Sequence, residues 1–89
     1  MNSPANWDLQ IDQSVLKALK KIPQKHSRMI LLTIKLLPVS PYFGDIKKMK
    51  GENNTWRRRI GSYRIFYKIK LEQKIILVFW LERRSSSTY

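Results

Sequence analysis

The sequence predicts an α+β domain, a single sheet with a pair of helices packed on one of its faces. Three observations predict it. Apolar and polar residues alternate at period two near the start of the chain and again through its second half. Between these stretches, apolar residues recur at helical spacing from Val15 to Leu37, interrupted by Pro23 and stopped by Pro38. A glycine-first pair, Gly61-Ser62, separates two strand-like runs, as a type II′ hairpin requires.

Taken in order, Asn6 to Asp12 is the first strand, because Trp7, Leu9 and Ile11 fall on one side. Ser14 is placed to cap a helix in which Val15, Leu16, Ala18, Leu19 and Ile22 recur, while Lys17, Lys20 and Lys21 face outward. Pro23 ends this helix or opens the next. A second helix starts near Gln24, with Ser27 as a candidate cap, and carries Met29, Ile30, Leu31, Leu32, Ile34, Leu36 and Leu37 to Pro38. Pro38 to Asp45 reads as a loop, with Tyr42 and Phe43 folded back onto the core. Trp56 to Ile60 and Tyr63 to Ile69 are the arms of the glycine hairpin. A second hairpin at Glu72-Gln73 leads into Ile75 to Leu81, whose unbroken apolar run predicts a central strand covered on both faces. The order is therefore strand, two-helix hairpin, then a three-stranded antiparallel meander, with the first strand joining the same sheet. Residues 1–89 form one domain, since 89 residues do not supply two cores.

Eighteen Lys plus Arg against six Asp plus Glu give a net charge of +12, so polyanions are the natural partners. A hydrophobic fraction of 43% separates the chain from a basic disordered tail, which lacks the apolar residues to offset chain entropy. There is no cysteine and His26 is the single histidine, so no thiolate zinc site and no metal or cofactor is expected. Met1 to Trp7 lacks the basic and apolar regions of a secretory signal, and Ile75 to Leu81 is too short to span a bilayer. A cytoplasmic location is the expectation.

Strand alternation puts Arg57 and Arg59 on one face and Trp56, Arg58 and Ile60 on the other. Two guanidinium groups on one face make a phosphate-sized site. Arg64 follows the tight turn, and Arg83 with Arg84 closes the last strand beside it, so several cations can converge on one patch. By spacing alone the patch reads first as a nucleic-acid-binding surface. Lys17, Lys20, Lys21, Lys25, Lys47, Lys48 and Lys50 would contact phosphates without reading sequence. Trp7, Trp56, Tyr63, Tyr67 and Trp80 read as core and sheet packing, and His26 as a surface or capping residue.

The string Lys50-Gly51, then Trp56-Arg57-Arg58-Arg59-Ile60-Gly61-Ser62-Tyr63-Arg64-Ile65-Phe66-Tyr67, then Arg83-Arg84 and Tyr89, resembles the RelE/ParE toxin superfamily. The resemblance extends to the opening strand with Trp7 and to the Leu19 to Pro23 helix end. It implies a toxin held inactive by an antitoxin whose acidic, amphipathic segment wraps the basic domain. RelE-like members cut mRNA in the ribosomal A site, whereas ParE-like members poison DNA gyrase and lack the nuclease residues. The RelE branch carries two basic residues before the turn, an arginine after it, an arginine on the last strand and a tyrosine six positions further on. Arg57, Arg59, Arg64, Arg83 and Tyr89 match these positions.

The implied reaction is attack of a ribose 2′-hydroxyl on the adjacent phosphodiester. In it, Arg64 and Arg83 stabilise the phosphate and leaving group, Arg57 and Arg59 orient the hydroxyl and backbone, and Tyr89 stacks on or orients a base. Arg58 and Arg84 fall to ribosomal RNA contact, Arg84 from the opposite face. The strand pair is lysine in RelE and arginine here, and a guanidinium with a pKa above about 12 is a poor proton acceptor. The base is therefore Lys50, Glu52, Glu82 or no protein group. A ParE-like inhibitor of gyrase and a RelE-like fold that only binds RNA are the alternatives.

Overall fold

The computed structural model describes residues 7–84. Its elements are β1 (Asp8–Ile11), α1 (Gln13–Lys20), α2 (Gln24–Leu36), β2 (Ile46–Lys48), β3 (Thr55–Ile60), β4 (Tyr63–Lys70) and β5 (Ile75–Arg83). They form one five-stranded sheet in the order β1-β5-β4-β3-β2, with the two helices on one face. The α+β architecture and the joining of the first strand to the sheet are as the sequence predicts. β1 pairs with β5 in parallel, and all other neighbours are antiparallel.

Asp12, and not Ser14, caps α1: its carboxylate accepts from the Ser14 amide at 3.0 Å and from the Ser14 hydroxyl at 2.6 Å. These bonds hold the Asp12 carboxyl below the usual carboxylate range, the side-chain bond contributing most. Pro23 is the N-cap of α2, and Ser27 lies inside that helix, its hydroxyl donating to the Gln24 carbonyl. Val15, Ile30, Ile34 and Leu37 meet Ile65, Tyr67, Ile69, Ile76 and Val78 of the sheet in the core, all essentially inaccessible. Met29, Leu32 and Leu36 point outward instead, because the sheet covers only one stripe of α2.

The 38–45 loop differs from expectation, since Tyr42 and Phe43 stay exposed and the loop is pinned by other bonds. The Tyr67 hydroxyl donates to the Pro41 carbonyl at 2.6 Å, and Arg58 Nη1 donates to the Phe43 carbonyl at 2.7 Å while lying over the Phe43 ring. Gly44 has a φ of +90° and a side chain there would collide with the Arg58 guanidinium. Immediately after this loop comes β2, a three-residue edge strand that no periodicity announces.

Gly61 has a φ of +57° and Ser62 is not in the positive-φ region, matching a II′ turn that joins Ile60 to Tyr63. The second turn is a four-residue loop, Leu71 to Lys74, with Lys74 at φ +57°. β5 is central in the sheet but covered on one face only. Its ladder with β4 slips between Phe66 and Tyr67: Phe66 faces Trp80, whereas Tyr67 faces Val78. Phe79 is the extra residue of a β-bulge.

Candidate functional site

The face of the sheet away from the helices is open, and residues that oppose one another in the ladders share it. One row crosses it as Lys47, Arg57, Phe66 and Trp80, on β2, β3, β4 and β5. The neighbouring row, toward the glycine turn, is Arg59, Arg64 and Glu82. Arg57, Arg59 and Arg64 are thus brought together, and Lys47 joins them from a strand the sequence did not reveal.

Arg59 and Arg64 sit directly opposite each other, a like-charge pairing that is destabilising unless answered. Carboxylates answer it: Arg59 Nε lies 3.3 Å from Asp45 and Arg64 Nε lies 3.4 Å from Glu82. The second pair is an ion pair without hydrogen-bond alignment, as Arg64 Nε keeps no hydrogen-bond partner. Both pairs are partly exposed, so each contributes only about 0–1 kcal/mol and gives way readily to a competing anion. Among the described residues Arg57 has no acidic partner, and its buried Nε has no hydrogen-bond acceptor. A buried donor without an acceptor is costly, and an incoming phosphate oxygen relieves that cost.

Beside the arginines lies a cleft of about 610 Å³, floored by Phe66, Phe79 and Trp80 and walled by the 49–52 loop. Lys50, Glu52 and Glu82, the three groups considered as proton acceptors, all line it. Glu82 is engaged on both sides, accepting from Trp80 Nε1 at 3.0 Å and facing Arg64.

Arg83 is not part of this patch. Strict alternation from buried Ile76 and Val78 would set it on the open face, but the bulge at Phe79 reverses the phase. Leu81 therefore turns into the core, and Arg83 pairs across the ladder with buried Tyr63 on the helix side, near Lys21 and Ile22. Arg84 follows the end of β5 and is tied to the glycine turn, its amide donating to the Ser62 carbonyl at 2.6 Å and its Nη1 to the Gly61 carbonyl at 3.5 Å. Arg58, opposite buried Ile65, is also on the helix side and is occupied with the loop. Trp80, expected in the core, is 49% exposed on the open face for the same reason that Arg83 is not. Tyr89 lies outside the described residues.

His26 Nδ1 is 3.2 Å from the Tyr63 hydroxyl, away from the cleft. Lys17, Lys20, Lys21 and Lys25 are exposed on the helical side, and Lys48 and Lys50 are exposed at the far edge. Phe66 and Lys68 escaped the sequence reading although their alternation with Arg64 carried the signal. Phe79 had no such signal, because a bulge has no periodicity.

A helical hairpin backing a sheet with Lys47, Arg57, Arg59 and Arg64 on its open face defines a small domain whose field attracts anions. The profile of the ParE toxin of type II toxin–antitoxin systems, parDE, matches residues 9–87, and the chain belongs to this RelE/ParE toxin family. It is 31% identical over 84 residues to the candidate toxin RelE1 of Methanocaldococcus jannaschii, covering 91% of this chain and 93% of that protein. The archaeal RelE–RelB complex of Pyrococcus horikoshii is similar at a TM-score of 0.79 and 28% identity, over 91% of this chain and 98% of that one. The isolated E. coli RelE toxin has the same fold, at a TM-score of 0.77 and 18% identity, over 91% and 87% of the two chains. Among the described residues no helix is long and apolar enough to cross a membrane.

Proposed function

We propose that this toxin is an endoribonuclease that cuts mRNA in the ribosomal A site by attack of a 2′-hydroxyl on the adjacent phosphodiester. The reading is carried by one observation: Lys47, Arg57, Arg59 and Arg64 share the open face, and Arg57 and Arg64 stand opposite Phe66 and Glu82, which line a cleft together with Lys50 and Glu52. Negative charge grows on the non-bridging oxygens and the leaving 5′-oxygen in the transition state, so fixed guanidinium groups bind it more strongly than the ground state. Arg57 and Arg64, each with an Nε that has no hydrogen-bond acceptor, take that role, Arg64 held only by its ion pair with Glu82. Arg59 and Lys47 hold the flanking backbone, and Tyr89 stacks on a base. Arg83, on the helix side, is assigned to contact with the ribosome or the antitoxin.

The partner that silences the toxin is a RelB-like antitoxin, as in the RelE–RelB complex of Pyrococcus horikoshii. The exposed line of Met29, Leu32 and Leu36 on α2, bordered by lysines, suits an acidic amphipathic segment.

The test adds purified protein to programmed ribosomes and maps the new mRNA 5′ ends, with naked RNA alongside. Cuts confined to the A-site codon are expected. They should fall about a hundredfold or more in Arg57→Ala and in Arg64→Ala, the loss of roughly 3 kcal/mol of transition-state stabilisation, and persist in Arg83→Ala. Absence of cutting by the wild type would overturn this reading. The ParE profile match favours gyrase inhibition as the second reading, which predicts toxicity that survives Arg57→Ala and Arg64→Ala.

A further inference from the structure

Phe66, Phe79 and Trp80 lie together on the open face, and no helix or strand among the described residues packs over them. The bulge is what gathers them. By extending β5 by one residue it sends two consecutive side chains, Phe79 and Trp80, to the same side of the sheet, where Phe66 stands opposite Trp80. Bulges commonly serve to re-aim a side chain at a site. The three rings are not arranged as a core. Trp80 is 49% exposed, and Phe66 and Phe79 meet only at a tilted 6.4 Å, which leaves ring faces open to the cleft.

The surroundings identify the occupant. Trp80 Nε1 donates to Glu82 at 3.0 Å, which fixes the indole and leaves its ring with no polar requirement of its own. Lys68 lies 5.6 Å from the centre of the Phe79 ring and adds positive charge to the floor. The row Lys47, Arg57, Phe66, Trp80 changes from cationic to aromatic in four strands. Adjacent strands lie about 4.8 Å apart, so the cationic and aromatic halves are separated by roughly the reach of one nucleotide from phosphate to base. An apolar protein segment would use the aromatic half but would leave the cationic half unmatched. A nucleotide uses both.

We propose that Phe66, Phe79 and Trp80 form a stacking platform for a base of single-stranded RNA, the base belonging to the nucleotide whose phosphate rests on Arg57 and Lys47. This deepens the proposed nuclease reading and rests on it for the identity of the polyanion. The bulge therefore exchanges a cation for an aromatic ring in the site, withdrawing Arg83 and presenting Trp80. Stacking is tolerant of base identity because every base has a π face, so the platform positions the strand for cleavage without selecting one codon.

The experiment measures binding of two uncleavable probes to the full chain by fluorescence anisotropy: a 2′-O-methyl RNA tetranucleotide, and an abasic strand of the same length and charge. Wild type should bind the base-bearing probe about tenfold to a hundredfold more tightly, as expected for one stacked base. Trp80→Ala should shrink that difference several-fold, Trp80→Phe should keep most of it, and Arg57→Ala should weaken both probes alike. Equal binding of the two probes by wild type, or a difference undiminished in Trp80→Ala, would overturn the platform. Trp80 is half-exposed, so its loss leaves no core cavity, and an unchanged circular dichroism spectrum verifies the fold. Because neither probe can be cut, failure of ribosomal cleavage with intact probe discrimination overturns the nuclease reading alone.

Discussion

Tyr67 is fully buried in the sheet, yet its hydroxyl reaches out to the Pro41 carbonyl and ties the 38–45 loop to β4. Burial pushes its pKa up to about 12, because the phenolate would lose water without gaining a donor. The sign follows from linkage: a raised folded-state value leaves stability untouched below the ordinary tyrosine range. Stability is then lost as pH climbs from about 10 toward about 12, where only the unfolded chain releases the proton. Tyr67→Phe should remove that alkaline component, and by leaving the Pro41 carbonyl unanswered should cost roughly 1–3 kcal/mol at neutral pH. Urea titrations at neutral and alkaline pH measure both effects. At the same scale, Arg58 shows why residue type did not identify role: three consecutive arginines look alike, but the middle one faces the loop and holds the Phe43 carbonyl.

At the scale of elements, one turn, one cap and one bulge shape the domain. Gly61 has a positive φ and open space around it, so Gly61→Ala should be destabilising through backbone strain alone, by roughly 1–2 kcal/mol, measurable by chemical denaturation. Helix α1 depends on Asp12, whose lowered pKa marks a carboxylate favoured by the folded state. A lowered value contributes stability above the ordinary aspartate range and loses it as pH falls through the lowered value. Thermal melts of Asp12→Ala should therefore lie below wild type near neutrality and converge with it in acid. The Phe79 bulge is the element that decides the composition of the open face, admitting Trp80 and expelling Arg83.

For the whole molecule the governing quantity is a net charge of +12 carried by a small body with an open cationic face. Binding of single-stranded RNA should weaken steeply with salt. If about three phosphates are neutralised at Lys47, Arg57 and Arg64, the slope of log K against log salt should be about −2, and Arg57→Ala should make it shallower by about 0.7. A filter-binding or anisotropy series across salt concentrations checks this, and a slope unchanged in Arg57→Ala would place the contacts elsewhere.

The sequence by itself determined the α+β class, the two helices, the glycine hairpin and the face shared by Arg57 and Arg59, because each follows from local periodicity or from one backbone requirement. It also carried the family resemblance and the charge. Tertiary structure alone decided the parallel pairing of β1 with β5, the edge strand β2 that brings in Lys47, and the outward turn of Trp80. Three residues are too few to carry a period, and a bulge is defined only by the strand opposite it. The parity of everything after Phe79, Arg83 included, was therefore fixed by β4 and by the burial of Leu81, a constraint between strands that no local pattern contains.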